Sequence, residues 1–492
     1  MKRLPPVINI GLLAAALLAG STVGCTVGPR YKRPAAQIPD AWKGERPWQT
    51  AAPKDSIPKG VWWQIFHDAE LDRLEQELLQ ASQSLVAAED RLSQARSQAR
   101  IASSAYFPTL IADPSGQRQR LSGNRPLAVS PKPVTQDVFT VPFSVSYELD
   151  LFGRVRRTLE AANASLQGSA ADLENVRLVL TAELAADYFN LRELDREAGV
   201  VRQSVEIQQK GLDLVNRRHD GGVANGLEVA QQAALLDSTA TQLQLVLQQR
   251  AQYEHAIAVL TGKSASAFSL PEAPLDAAPP AIPLGVPSEI LERRPDVATS
   301  ERRMAFENAQ IGLAMAAFYP HITLGGSGGW ESRDIATLIN APSVFWSVGG
   351  DLLQPIFNGG RDRANLAATR AAYDESVANY RESVLVAFQQ VEDGLSGLAL
   401  LNQAAKTQAA AVADSRRALD IANSRYVGGV TTYLDVITAQ SALLNNERQA
   451  TQLLGQQMVT SVYLVKALGG AWDASEIQRE QVRPALVQAV QQ

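Results

Sequence analysis

The chain of 492 residues contains one cysteine, Cys25, so no intramolecular disulfide framework can hold it together. Its four histidines, His67, His219, His255 and His321, stand far apart and never at metal-ligand spacing, so they read as structural or solvated side chains. A GxxxxGK[ST] phosphate loop is missing. There is no basic block, the net charge is −5, and aromatics make up only 6% of residues, so nothing points to nucleic acid. These absences leave no foothold for catalysis, a metal or another cofactor. What fills the chain instead is Ala, Gln, Leu, Ser and Arg in long stretches, the composition of extended helices.

The first residues read as an address. Lys2 and Arg3 precede an apolar run from Val7 to Leu18, followed by small residues and Val23-Gly24-Cys25. That is the layout of a signal peptide over residues 1–24, too short for a mature membrane span of ~20 apolar residues. A small residue directly before a cysteine resembles the bacterial lipobox, although Thr22 stands where that motif usually has Leu. The resemblance implies that Cys25 becomes a lipidated N-terminus; the alternative is a free thiol beyond an ordinary cleavage site. Thr26 is not the aspartate that retains such proteins at the inner membrane, which favours the outer membrane. Residues 25–67 then form an extended segment. From Thr26 to about Val61 it carries Pro29, Pro34, Pro39, Pro47, Pro53 and Pro58, which rule out a helix, with Trp42 and Trp48 available to pack on another surface.

An internal repeat follows. Ala105-Tyr106-Phe107-Pro108 returns as Ala317-Phe318-Tyr319-Pro320, and Phe152-Gly153-Arg154 as Phe357-Asn358-Gly359-Gly360-Arg361. Arg218-His219-Asp220-Gly221-Gly222-Val223 returns as Arg425-Tyr426-Val427-Gly428-Gly429-Val430. Three landmarks in the same order, each with Pro or Gly, establish a duplication. It divides the chain into a first repeat at 68–270, a second at 285–470 and a C-terminal tail at 471–492.

Each half reads as helix, two strands, very long helix, tight turn, helix. Leu71, Leu74, Leu78, Leu85 and Leu92 predict one helix from about Ala69 to Ala105. Phe139, Val141, Phe143, Val145, Tyr147 and Leu149 then alternate with Thr140, Ser144, Ser146, Glu148 and Asp150. Successive strand residues point to opposite faces, so one face is apolar and the other polar. The second half repeats this more weakly with Ile322, Leu324 and Trp330, then Val344, Trp346 and Val348. Trp330, Phe345 and Trp346 near strand ends suit the aromatic girdles of a membrane barrel; a soluble antiparallel sheet would alternate in the same way. From Arg154 to about Arg218, and again from Arg361 to about Tyr426, proline-free stretches predict helices of ~60 residues and ~90 Å. Such lengths are stable only when packed side by side. Gly221-Gly222 and Gly428-Gly429 end them, and return helices run over Leu227–Leu260 and Leu434–Leu468.

Together these landmarks resemble the outer membrane factors, the TolC-like efflux lipoproteins of the NodT type. The resemblance rests on Cys25-Thr26-Val27-Gly28-Pro29-Arg30-Tyr31, on Glu148-Leu149-Asp150-Leu151-Phe152-Gly153-Arg154 and on Phe318-Tyr319-Pro320. It is most specific at Pro287-Ser288-Glu289-Ile290-Leu291-Glu292-Arg293-Arg294-Pro295-Asp296-Val297, and it runs from Cys25 to about Gly470. It implies an α+β membrane protein: a homotrimer with a 12-stranded transmembrane β-barrel, four strands per protomer, continuous with a periplasmic α-helical barrel. It also implies an exit duct, not an enzyme, working with a periplasmic adaptor and an inner-membrane resistance-nodulation-division transporter, lipid-anchored in the outer membrane of a Gram-negative bacterium. Independently, a four-stranded sheet has edges and cannot cross a bilayer alone, because every backbone group there must be paired.

The resemblance places a gate at the two glycine turns. Tyr426 matches a tyrosine that helps hold the tip closed, and Asp435 matches the first of two acidic positions of a selectivity ring. Thr438 occupies the second and is neutral, Thr431 stands where the family type has an arginine of the closing network, and Glu228 takes the place of the acidic partner in the first half. Arg218 and Arg425 are nearby cations that could substitute. Against this, Glu228 and Asp435 also suit the N-terminal turns of helices through the helix dipole. Two other readings compete: a duct for type I protein secretion within the same fold, and a pore-less periplasmic coiled-coil protein. Substrate choice is not written in such a duct.

Overall fold

The structure is a computed structural model and describes residues 26–34, 60–124, 132–282, 294–470 and 481–482. Cys25, Trp42, Trp48 and residues 283–293 lie outside these. The first repeat comprises α1 (Ala69–Ala81), α2 (Gln83–Ser104), β1 (Thr109–Ala112), β2 (Ser115–Leu121), β3 (Val134–Leu149), α3 (Arg154–Asp220) and α4 (Gly226–Leu260). The second comprises α5 (Pro295–Ala316), β4 (His321–Ser332), β5 (Val344–Leu353), α6 (Arg361–Val427) and α7 (Tyr433–Ala467). Both long helices have 67 residues, about 100 Å, and both return helices have 35.

The duplicated landmarks are the caps of these helices. Gly153 and Gly360 precede α3 and α6 with φ of 87° and 88°, a left-handed entry that favours glycine. At the other end, Gly222 and Gly429 have φ of 71° and 72°. There Val223 N donates to Arg218 O at 2.8 Å, and Val430 N to Arg425 O at 2.9 Å, satisfying carbonyls that the helix leaves open.

Two expected elements are interrupted. The single helix expected from Ala69 to Ala105 is two, because Ser82 adopts an extended conformation (φ −65°, ψ 118°). The turn after α4 presses on this break: a Cβ on Gly262 (φ +71°) would lie 2.5 Å from Ala81 O. The helix gives way where distant backbone crosses it. The first strand is likewise interrupted at Asp113-Pro114, and its halves β1 and β2 both pair with β3.

All pairings are antiparallel, with β1 and β2 on one side of β3, then β4, then β5. Directly paired residues share a face. Val141 pairs with Trp330 and Trp330 with Val344; Val145 pairs with Gly326 and Gly326 with Val348. One face therefore carries Phe139, Val141, Phe143, Val145, Tyr147, Leu149, Ile322, Leu324, Trp330, Val344, Trp346, Val348 and Leu352. The other carries Ser144, Ser146 and Glu148 with Ser327, Ser347 and Asp351, and the Ser327 and Ser347 hydroxyls lie 2.7 Å apart. Phe345 pairs with Gly329 and so sits on the polar face, opposite the two tryptophans with which the sequence grouped it. The apolar face is uncovered: Trp346 is 77% exposed and Val348 80%.

The helices pack in antiparallel pairs, α3 with α4 and α6 with α7, joined where α3 meets α5 and α7. Trp62, Trp63 and Phe66 enter a core with Leu71, Leu74 and Leu78 of α1, Leu184, Phe189 and Leu191 of α3, and Met458 and Val462 of α7. The specific motif around Arg294 becomes intelligible here. The buried Arg294 guanidinium donates to Asp296 at 2.6 and 3.0 Å, to Gln390 of α6 at 2.9 Å and to Ala467 O of α7 at 3.1 Å. Residues 26–34 run non-helical across both repeats. Val27 N donates to Phe152 O at 3.1 Å. Buried Arg157 donates to Val27 O and Gly28 O at 3.1 and 3.0 Å, Asn308 to Pro29 O at 3.1 Å, and Tyr31 to Glu301 at 2.9 Å.

Candidate functional site

The two glycine turns lie together at the far end of the helices from the sheet, around a small core of Val215, Leu419, Ala422, Tyr426, Tyr433, Val436 and Ala439. Tyr426, in the last turn of α6, donates its hydroxyl to Glu228 Oε2 in the first turn of α4 at 3.2 Å. This bond joins the second repeat to the first. Glu228 is fixed there because Asn225 caps α4, its Oδ1 accepting from Glu228 N at 3.1 Å. The Arg218 guanidinium lies over the Tyr426 ring, 4.6 Å from its centre, and the Tyr433 ring packs tilted against it at 4.8 Å. Burial and the nearby Glu228 push the Tyr426 hydroxyl above its ordinary pKa, with Arg218 pulling the other way.

Asp435 and Thr438 are separate from this cluster. Exposed Asp435 accepts from the Thr431 hydroxyl, within the turn that opens α7. Thr438 returns its hydroxyl to Leu434 O at 2.8 Å. The structure thus brings Tyr426, Glu228 and Arg218 together, and Thr431 with Asp435. Among the described residues neither Arg218 nor Arg425 makes an ion pair, so Arg218 contributes through the ring of Tyr426. Thr431 reaches Asp435 as a neutral donor.

Sequence reading overlooked the layer above this cluster. Tyr433 is 2% exposed, its hydroxyl is pushed up to about 12 mainly by burial, and that hydroxyl sits against Gly211, where a Cβ would come within 2.7 Å. Beside it, buried Gln232 donates to Gln208 O at 2.7 Å. Tyrosine directly after the turn was the available signal. Its burial depends on a glycine in α3 that has no turn to make.

Further along, α3 and α7 enclose a carboxyl pair. Arg448 of α7 donates to Glu197 at 2.7 Å, and Gln452 to its other oxygen at 3.3 Å. Glu193, one helical turn before Glu197, lies against Gly455, where a Cβ would fall 2.5 Å from its Cγ. One arginine thus serves two buried carboxyls. Burial and the charge of Glu197 push the Glu193 carboxyl up to about 8, with Arg448 opposing.

No group of three or more potential metal ligands occurs among the described residues. The geometry is that of packed helices and a half-apolar sheet, with its polar side chains at seams and at the tip.

Comparison with known proteins agrees. The profile of the family described as "Outer membrane efflux protein" matches residues 74–263 and 286–470. The outer membrane protein OprJ of Pseudomonas aeruginosa is 33% identical over 476 residues, covering 95% of this chain and 97% of that protein. The pyoverdine export outer membrane protein OpmQ of the same species is 34% identical over 470 residues, with coverages of 95% and 97%. Among solved structures, the outer membrane channel CmeC of Campylobacter jejuni superimposes with a TM-score of 0.83 at 26% identity, covering 93% of this chain and 98% of that one. The protein described here belongs to the outer membrane efflux protein family.

Proposed function

We propose that this chain is the outer-membrane exit duct of a tripartite efflux pump, passing small solutes handed on by an inner-membrane transporter of the resistance-nodulation-division type and a periplasmic adaptor. One observation carries the reading: an antiparallel sheet with an uncovered apolar face and two open edges is continuous with helices about 100 Å long. Such a sheet is stable in a bilayer only when its edges are closed, and three copies joined edge to edge would form one 12-stranded barrel. The polar face then lines a water-filled lumen, and the helices extend it through the periplasm.

The anchor sits at the base of the sheet. A Cβ on Gly153 would lie 2.7 Å from the Thr26 side chain, so Thr26 packs against the strand-to-helix junction. Acylation of Cys25 would place its lipid at the inner leaflet of the outer membrane. Mass spectrometry of the mature N-terminus should show a lipid-sized increment on Cys25; an unmodified thiol there would remove the anchor from this account. Cys25→Ser should impair sorting or assembly more than it changes the pore.

In this reading the tip is the gate. The Tyr426–Glu228 bond and the Arg218 stack hold α6 and α7 against α3 and α4, and release of these contacts lets the entrance widen. Asp435, in three copies, supplies the negative charge that attracts cations at a narrow mouth. Since Thr438 is neutral, the ring carries about half the charge of a doubly acidic entrance. Asp435→Asn should remove most cation preference and multivalent-cation block, and Thr438→Asp should strengthen the block. Tyr426→Phe or Glu228→Gln should instead raise resting conductance several-fold, with about 1 kcal/mol of closing energy lost per protomer. Recording in planar bilayers separates the two classes. Unchanged selectivity and block in Asp435→Asn would leave Asp435 with only a role at the start of α7.

A further inference from the structure

The first strand carries a pattern that the duct does not use. Gly116-Gln117-Arg118-Gln119-Arg120 alternates neutral amide with arginine, and the register assigns each to a face. Gly116 pairs with Phe139, Arg118 with Asp137 and Arg120 with Thr135, so both arginines share the face of Phe139, Val141 and Val145. Gln117 and Gln119 point to the lumen side with Val138 and Gln136. Positive charge is therefore confined to the outward side of the strand.

Height decides what meets it. From Leu149 to Phe139, β3 advances about 33 Å. Tilted at about 40° it climbs about 25 Å, the height of the apolar band of an outer-membrane barrel. Arg118 and Arg120 stand about 5 and 10 Å above that band, on the side away from the helices, at the level of the outer-leaflet headgroups. Asp137 lies 3.8 Å from Arg118, which stays 76% exposed, and Arg118 forms no other ion pair among the described residues. Arg120 makes no ion pair among the described residues and is exposed. Guanidinium groups two residues apart on one strand face present parallel forks to phosphate oxygens.

We propose that Arg118 and Arg120 form a phosphate-binding rung that holds the phosphorylated glycolipid of the outer leaflet against the barrel, an assignment that rests on the barrel reading above. Three protomers would give six guanidiniums around the rim. Each arginine near an anionic lipid surface is worth a factor of about five in affinity, so the pair gives about 25-fold.

The test uses purified, heat-modifiable trimers titrated with diphosphorylated lipid A, and with the same lipid stripped of its phosphates, read by native mass spectrometry. The parental trimer should bind the diphosphorylated form about 25-fold more tightly than the stripped form. Arg118→Gln/Arg120→Gln should lose most of this preference, and Arg118→Lys/Arg120→Lys should keep the greater part. Equal binding of the two lipids by the parental trimer would overturn the proposal without needing any variant. So would competition by millimolar inorganic phosphate, which would mark a general anion site, or a Gln/Gln variant with the parental preference. The barrel reading is checked separately with a cysteine at position 145, which should react with lipid-phase but not aqueous reagents. If it reacts from water, the barrel reading itself falls, whatever the lipid titration shows.

Discussion

Val145→Arg should deplete assembled trimer from outer-membrane extracts by about ten-fold or more, while Ser146→Arg leaves it near the parental amount. The two residues are neighbours with opposite environments. Val145 pairs with Leu110 and Gly326 on the apolar face, and Ser146 with Thr109 and Gly325 on the polar one. Val145 lies about 10 Å above Leu149 in a tilted strand, near the middle of the apolar band. An arginine there costs about 2–4 kcal/mol, and a trimer carries three. At position 146 the same guanidinium projects into water, beside Gly325, which offers no side chain to obstruct it. Heat-modifiable mobility on gels, with total chain as the control, gives the ratio. The opposite ranking would mean the faces are exchanged.

Glu193→Gln should flatten the pH dependence of trimer stability between about pH 5 and 8 and leave the variant more stable than the parent above pH 8. In the folded chain burial and Glu197 push the Glu193 carboxyl up to about 8, whereas an unfolded glutamate titrates near 4.5. Between these values the folded state holds a proton that the unfolded chain releases. Stability therefore falls as pH rises through that window and levels off above it. The total change is on the order of a few kcal/mol per protomer. Glutamine keeps the shape and stays neutral, so the slope disappears. Glu197→Gln should behave differently: it leaves half-buried Arg448 without its charged partner and destabilises at every pH. Midpoints of thermal trimer dissociation at pH 5, 7 and 9 measure both; a Glu193→Gln slope equal to the parental one would show that Glu193 is ionised throughout.

The long helices were legible because the residues that end them are local. Gly153 and Gly360 must enter in a left-handed conformation, Gly222 and Gly429 must leave in one, and the sequence repeats both signals. The faces of β3 were legible because strand periodicity is strict. What was illegible depends on distant partners. The break at Ser82 is imposed by Gly262, from the other end of the repeat. Phe345 looked like a girdle aromatic until pairing with Gly329 fixed its face. Glu193 and Glu197 are one turn apart on a helix, and nothing local marks them as buried; Gly455 of α7 is what lets another backbone close over Glu193. At the tip, resemblance pointed to Tyr426, Glu228, Asp435, Thr438 and Thr431. It could not show that Arg218 would act through the ring of Tyr426, because the residues that meet there come from helices more than two hundred positions apart.

Recording from the purified parental trimer in planar bilayers tests most directly whether three chains enclose a pore. Small, uniform conductance steps with a reversal potential favouring cations are expected, with larger steps from Tyr426→Phe. Membrane-inserted trimers that carry no current in either form would contradict the account.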